Sequence, residues 1–281
     1  MYKILEKVVL GPQVVKMVIE APLVANKAEP GQFIILRIDE TGERIPLTIA
    51  DFDSGKGTIT IIYQTVGKTT TQLAELEEGD ALLDFVGPLG KASEFEADIK
   101  KVAVIGGGLG TAIAYPQAKK LHNMGVSVDV ILGFRNKDLV ILEEEMQEVS
   151  ANLYITTDDG SNGRKGLVTD VLKERIEAGE QYDLVIAIGP LIMMKFVALL
   201  TKEYEIPTIV SMNPVMIDGT GMCGGCRVTV GGETKFACVD GPDFDGHLVD
   251  FDEAMRRQGI YRTEENKSLE DHTCKLEGMQ S

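Results

Sequence analysis

Between 218 and 238 the chain reads Asp-Gly-Thr-Gly-Met-Cys-Gly-Gly-Cys, then eleven residues, then Cys. Three of its four cysteines, Cys223, Cys226 and Cys238, fall inside this stretch. A Cys-x2-Cys pair can put both sulfurs on one metal centre, and Gly219, Gly221, Gly224 and Gly225 let the backbone turn left-handed and approach a cofactor. The plant-type [2Fe-2S] pattern is Cys-x4-Cys-x2-Cys followed by a distant Cys. The segment reproduces it with one change: Asp218 stands where the first Cys is expected.

Three readings compete. A [2Fe-2S] cluster held by Asp218, Cys223, Cys226 and Cys238 is chemically reasonable, since a carboxylate ligates iron and, being harder than thiolate, alters the potential. Zinc on the same four groups is the second. The third is an empty loop in which Asp218 is an Asp-Gly turn residue and the cysteines are free thiols. The spacings match the cluster pattern, whereas zinc ribbons bring a second Cys pair that this chain lacks, so the order is iron–sulfur, zinc, empty. Cys274, in a charged tail, reads as an ordinary free thiol.

The elements that must position these residues have room: 281 residues allow two compact domains and a small appendage. With 44% hydrophobic and 26% charged residues, a sizeable core needs neither disulfides nor a membrane. The net charge of −16 argues against nucleic acid, whose phosphates require a basic face. No apolar run approaches the ~20 residues of a membrane span. The N-terminus reads directly into a strand rather than a signal peptide, and clustered cysteines without a leader suggest a cytoplasmic protein.

Short β-branched runs separated by turn residues fill the first hundred positions. They predict strands over 2–10, 14–20, 33–38, 44–50, 58–64 and 81–86 and a helix over 69–76, hence a small six-stranded antiparallel barrel. Within it stand Arg44-Ile45-Pro46-Leu47-Thr48 and Gly67-Lys68-Thr69-Thr70. The second is a glycine turn opening a helix, where free N–H groups and Thr hydroxyls can hold a phosphate. A strand edge or a helix cap would use the same residues.

The pattern changes at Lys101. An apolar strand over 102–105 is followed by Gly106, Gly107, Gly108, Leu109, Gly110 and Thr111, and then by helical periodicity over 111–124. Further strands are expected at 126–132, 153–156, 184–188 and 208–212 with helices between. That alternation implies right-handed crossovers and a doubly wound parallel sheet with a nucleotide at the carboxyl ends of its strands. The turn departs from G-x-G-x-x-G at its last position, Thr111. Arg135, just past the second strand, is placed to meet a ribose 2′-phosphate, or is a surface arginine. Asp159 and the Gly189-Pro190 pair end later strands, where ligand contacts and turn chemistry both occur. His122, His247 and His272 form no motif, and no nucleophile–base pair supports hydrolysis.

Barrel, nucleotide domain and cluster loop, in that order, resemble the ferredoxin-reductase flavoprotein superfamily, in the branch with a C-terminal [2Fe-2S] lobe that includes the electron-transfer subunit of dihydroorotate dehydrogenase. Within it the chain is similar to the small-subunit family of electron-bifurcating NADH-dependent reduced ferredoxin:NADP oxidoreductases, also described as sulfide dehydrogenase subunit beta. That likeness rests on Asp218 as first ligand and on Gly241-Pro242-Asp243-Phe244-Asp245-Gly246-His247 followed by Val249-Asp250-Phe251-Asp252-Glu253-Ala254-Met255-Arg256-Arg257.

The resemblance implies FAD on the barrel, at Arg44, Pro46, Leu47, Thr48, Ile62, Tyr63, Gln64, Gly67, Thr69 and Thr70. Arg44 lies one residue early, Gln64 replaces a basic residue and Thr69 a glycine. It implies NAD(H) at Gly106, Gly107, Gly108, Leu109, Gly110, Thr111, Arg135, Asp159, Gly189, Pro190 and Met193, with Ile188 where relatives carry a cysteine. The expected units are a FAD-binding barrel (1–98), an NAD(P)-binding domain (99–213), a [2Fe-2S] lobe (214–245) and a C-terminal arm (246–281) that docks on a larger flavin and iron–sulfur subunit in a heterodimer, with a helix over 252–258. Ferredoxin and NADP(H) enter through that partner. No side-chain acid or base is required, so no catalytic residue is implied. The rivals are the dihydroorotate dehydrogenase subunit and, from another class, a redox-inert nucleotide-binding regulator with zinc.

Overall fold

The computed structural model describes residues 1–279, with side chains through Asp271, so the readings on His272 and Cys274 fall outside the described side chains. The first unit comprises β1 (Tyr2–Gly11), β2 (Val14–Glu20), the one-turn α1 (Pro22–Ala25), β3 (Phe33–Arg37), β4 (Ile45–Asp53), β5 (Thr58–Gln64), α2 (Lys68–Glu75), β6 (Ala81–Leu82) and β7 (Asp84–Leu89). Period-two alternation sends Ile4, Met17, Ile19, Ile34, Leu36, Ile49, Ile59 and Ile61 inward, where they are fully buried.

The expected sixth strand is broken at Leu83. Its N–H donates to the carbonyls of Arg37 and Ile38, both at 3.1 Å, and the chain changes partner there. β6 pairs with β1 and β7 with β3, so the two halves of one run lie at opposite ends of the antiparallel order β6-β1-β2-β5-β4-β3-β7. The sheet nearly closes, which removes the exposed edges an open sheet would leave.

The second unit alternates β8 (Lys101–Gly107), α3 (Gly110–Asn123), β9 (Ser127–Phe134), α4 (Glu143–Glu148), β10 (Asn152–Thr157), α5 (Val168–Glu177), β11 (Leu184–Ile188), α6 (Leu191–Glu203) and β12 (Thr208–Ser211). The parallel order β10-β9-β8-β11-β12 reverses at β8 and β11, which creates a crevice at their carboxyl ends. Helices cover both faces, so β11 is buried along its whole length. Pro116 is buried inside α3, which continues through it.

Last come β13 (Arg227–Val230), β14 (Glu233–Phe236), α7 (Ala237–Asp240), β15 (Asp243–Asp245), α8 (Phe251–Gln258) and α9 (Arg262–Met279). β13 and β14 form a hairpin, and β15 joins the parallel sheet as an antiparallel edge on β12. The Gly241–His247 run is therefore partly sheet. α8 packs on α6 and β13, while α9 reaches α2 of the barrel. Both helices of the expected docking arm thus lie against their own chain. No described helix is long and apolar enough to cross a membrane.

Candidate functional site

The outward face of the barrel carries the arrangement. On β5 the inward set is Ile59, Ile61 and Tyr63, which leaves Ile62 and Gln64 on the outer face. On β4, Ile45, Leu47 and Ile49 belong to the barrel core, and Pro46, Thr48 and Ala50 point out. Val14, Ala50 and Ile62 share one core with α3 and the parallel sheet. On β3, Phe33 and Ile35 share another with Met216, Cys226 and Cys238. Register sets Pro46 opposite Ile35 and Thr48 opposite Phe33. Pro46 and Thr48 therefore lie between the surface that carries the nucleotide unit and the surface that carries the ligand loop.

Two of the residues expected at the flavin, Tyr63 and Leu47, turn their side chains into the barrel. Tyr63 is 1% exposed, and its hydroxyl faces Met17 Sδ at 3.5 Å inside the barrel, where burial raises its pKa far above the ordinary phenol range. Leu47 likewise packs inward. Only their backbones face the groove, because strand parity spends both side chains on the core.

The residues expected to hold the flavin phosphates are partly engaged in the chain's own bonds. The Thr69 hydroxyl donates to Glu43 Oε2 at 2.5 Å. The Thr70 hydroxyl accepts from the amides of Val66 and Gly67, both at 3.1 Å, and donates to Gly67 O at 3.0 Å. These hydroxyls hold the turn, so the donors left for a phosphate are the first-turn amides of α2. Gly67 has open space on its Cβ side. Arg44 precedes β4 rather than lying within it, half exposed and 3.7 Å from Asp84. The Glu43–Thr69 bond brings the Arg44 segment and the Gly67 turn together, as a shared diphosphate site requires.

At the switch point, Gly106, Gly107 and Gly110 are glycines because their neighbours leave no room. A Cβ on Gly110 would run into the Ile188 carbonyl, and one on Gly107 would lie 2.5 Å from Met193 Sδ. Gly108, at φ +54°, faces open space. The turn therefore packs tightly on the end of β11 and brings Leu109, Thr111, Gly189, Pro190 and Met193 to one crevice, with the Gly108 amide tied to Gly133 O at 2.9 Å. Thr111 Oγ1 is buried there without a partner. Arg135 and Asp159 meet at the ends of β9 and β10, where the Asp159 amide donates to Arg135 O at 3.4 Å. Asp159 caps its own turn through Ser161, first by the hydroxyl and then by the amide, which holds its carboxyl below the ordinary range. Residues 106–111, 135, 159, 189, 190 and 193 thus line the carboxyl edge of one sheet.

The ligand loop faces the barrel. Gly219, at φ +73°, lies so close to Ile35 and Leu89 that a Cβ there would sit 2.7 Å and 2.8 Å from their Cδ1 atoms. Cys226 and Cys238 are buried with sulfurs 3.2 Å apart, and Cys223 is exposed. Asp218 accepts from the amides of Thr220 at 2.9 Å and Cys223 at 2.7 Å, which hold its carboxyl below the ordinary range. Burial, with the bond to Cys226, pushes the Cys238 thiol up to about 12, so a metal is what would make it a thiolate. The four groups fall in two pairs, Asp218 with Cys223 and Cys226 with Cys238. Two ligands for each of two irons would match this pairing.

Reading the sequence alone misses several contacts: Glu43 beside Thr69, Arg227 of β13 and Arg257 of α8 donating to carbonyls of the ligand loop, and a junction of Ser93, Gln117 and Asp243. Asp243 and Arg257 lie in the quoted 241–257 run, but their contacts, like those of the others, come from long-range pairing.

Residues 213–250 match the model of the iron–sulfur cluster binding domain of dihydroorotate dehydrogenase B. A protein encoded in the adh 3′ region of Clostridium beijerinckii is 60% identical over 275 residues, covering 95% of this chain and 93% of that one. The dihydroorotate dehydrogenase B (NAD(+)) electron transfer subunit homolog of Thermotoga maritima is 47% identical over 268 residues, covering 95% and 94%. Among solved structures, one of an NADH-dependent reduced ferredoxin-NADP oxidoreductase, described for flavin-based electron bifurcation, superposes with a TM-score of 0.91 at 46% identity, covering 96% and 97%.

Proposed function

Because the chain belongs to the family of dihydroorotate dehydrogenase B electron-transfer subunits and their homologues, we propose that it is the flavin and iron–sulfur electron-transfer subunit of an electron-bifurcating NADH/NADPH/ferredoxin transhydrogenase. FAD, when bound, exchanges hydride with NAD(H), and a [2Fe-2S] cluster carries single electrons. The observation that carries the reading is the barrel face on which Pro46 and Thr48 lie between the nucleotide unit and the ligand loop.

The residues have separate tasks. Pro46, Thr48, Ile62 and Gln64 floor the flavin groove, and the α2 amides with Arg44 hold its phosphates. Gly107 and Gly110 let the nucleotide reach the β8–β11 crevice, and Arg135 and Asp159 border its ribose end. Asp218, Cys223, Cys226 and Cys238 hold the cluster against β3. We assign 1–98, 99–213, 214–245 and 246–281 to barrel, nucleotide domain, cluster lobe and C-terminal arm. The electrons leave to a larger flavin and iron–sulfur subunit in a cytoplasmic heterodimer, which takes ferredoxin and NADP(H).

Asp218 and the superposition with the bifurcating oxidoreductase favour this over a dihydroorotate dehydrogenase partner. Copurification separates the two, and iron, acid-labile sulfide and flavin assays on the purified chain test the common core. Zinc without sulfide or flavin would eliminate it.

A further inference from the structure

The Arg256-Arg257 pair has no part in the reading above, yet Arg257 reaches the ligand loop. α8 is anchored first: the Asp250 carboxylate caps it by accepting from the Glu253 amide at 2.8 Å, Phe251 is buried, and Ala254 and Met255 pack on the parallel-sheet core. Lys195 of α6 adds an ion pair to Asp252 at 2.6 Å. From this fixed helix Arg257 Nη2 donates to Gly225 O at 3.1 Å. Arg227 Nη1 donates to Gly224 O at 3.3 Å. Both carbonyls between Cys223 and Cys226 are thus held by guanidinium groups.

The consequence follows from peptide geometry. In a planar trans peptide the C=O and N–H point opposite ways. Fixing Gly224 O away from the ligands turns the Gly225 N–H toward them, and it donates to Cys223 Sγ at 3.4 Å. Fixing Gly225 O restrains the next peptide, which leads into Cys226. Hydrogen bonds to ligand sulfur and nearby positive charge both stabilise the reduced, more negative state of a cluster, and so raise its potential.

We infer that Arg257 is a positioning residue for the cluster, holding the Cys223–Cys226 loop from the C-terminal helix and raising the cluster's reduction potential. This rests on the iron–sulfur reading. Arg256, exposed on the same turn, serves as the control.

The test is a redox titration of the purified full chain, following the cluster by visible and paramagnetic-resonance spectra, with iron, sulfide and FAD content measured alongside. Arg257→Gln should lower the potential by roughly a tenfold change in the reduction equilibrium, about 59 mV for one electron. FAD content should stay constant. Arg257→Lys, which keeps the charge and a donor, should recover most of the shift, and Arg256→Gln should leave the potential in place. A wild-type potential in a fully loaded Arg257→Gln chain would overturn the inference. So would iron loss that Arg257→Lys fails to restore, or an equal shift in Arg256→Gln. A wild-type chain without iron and sulfide would instead remove the cluster reading itself.

Discussion

The sulfurs of Cys226 and Cys238 lie 3.2 Å apart, on a wall of the cluster lobe that packs directly on Phe33 and Ile35 of the barrel. Ala237 and Cys238 are on a one-turn helix that follows β14, and Cys226 immediately precedes β13, whose first residue, Arg227, is paired with Phe236 at the end of β14. The hairpin, rather than the loop's own glycines, brings the two together.

Asp218, whose carboxylate accepts from the Cys223 amide, is the proposed distinguishing ligand. Asp218→Cys should keep iron and sulfide at the wild-type ratio and shift both the cluster's spectrum and its potential, because thiolate is the softer donor. An unchanged spectrum and potential would show that position 218 is not a ligand.

Gly110 meets the Ile188 carbonyl at the switch point. Gly110→Ala pushes the start of α3 away from the end of β11, and a resulting loss of about 1–3 kcal/mol in NADH binding would weaken it roughly 5- to 150-fold. Isothermal titration with NADH measures it. Iron content should be retained, since the ligand loop packs elsewhere; undiminished NADH affinity would contradict the placement of the nucleotide.

At the opposite end of the sheet, the buried Asp129 accepts from Tyr182 Oη at 2.8 Å and Asn152 Nδ2 at 2.8 Å. This network is far from the carboxyl ends and serves stability. Tyr182→Phe leaves the carboxylate one donor short and should cost about 1.5–3 kcal/mol, read by chemical denaturation, with NADH binding unaltered.

Asp243 supplies a pH-dependent term. Burial, its main perturbation, raises its carboxyl pKa above the ordinary range, against hydrogen bonds from Ser93, Ser211 and Gln117 that lower it. In the unfolded chain the group titrates near ~3.9, so the folded state binds its proton more tightly. Stability is therefore lost as pH rises from there through the folded-state pKa. Asp243→Asn removes that loss and places an N–H in a cluster where Gln117 Oε1 has no partner. Its melting temperature relative to wild type should rise as pH is taken from about 4 to 7. A constant difference across that range would contradict the sign.

Much of this was legible in the sequence. The barrel strands announce themselves by alternation, and the parallel strands by continuous apolar runs between glycine turns. β13, β14 and β15 were not, because strands of three or four residues are too short to establish a period. The break at Leu83 was invisible too, since it depends on which strand edge each half meets. Parity could have placed Tyr63: it lies two residues from Ile61 and four from Ile59, on the core side. α9, within the expected C-terminal arm, lacks an apolar stripe, and its approach to α2 is a tertiary contact that no local pattern announces.

The most direct test of the central claim is an anaerobic NADH titration of the purified chain, followed by visible absorbance and paramagnetic resonance. The account predicts bleaching of a flavin band together with a paramagnetic signal from a reduced two-iron cluster. A chain that holds zinc without acid-labile sulfide, with a spectrum NADH leaves unchanged, would contradict it.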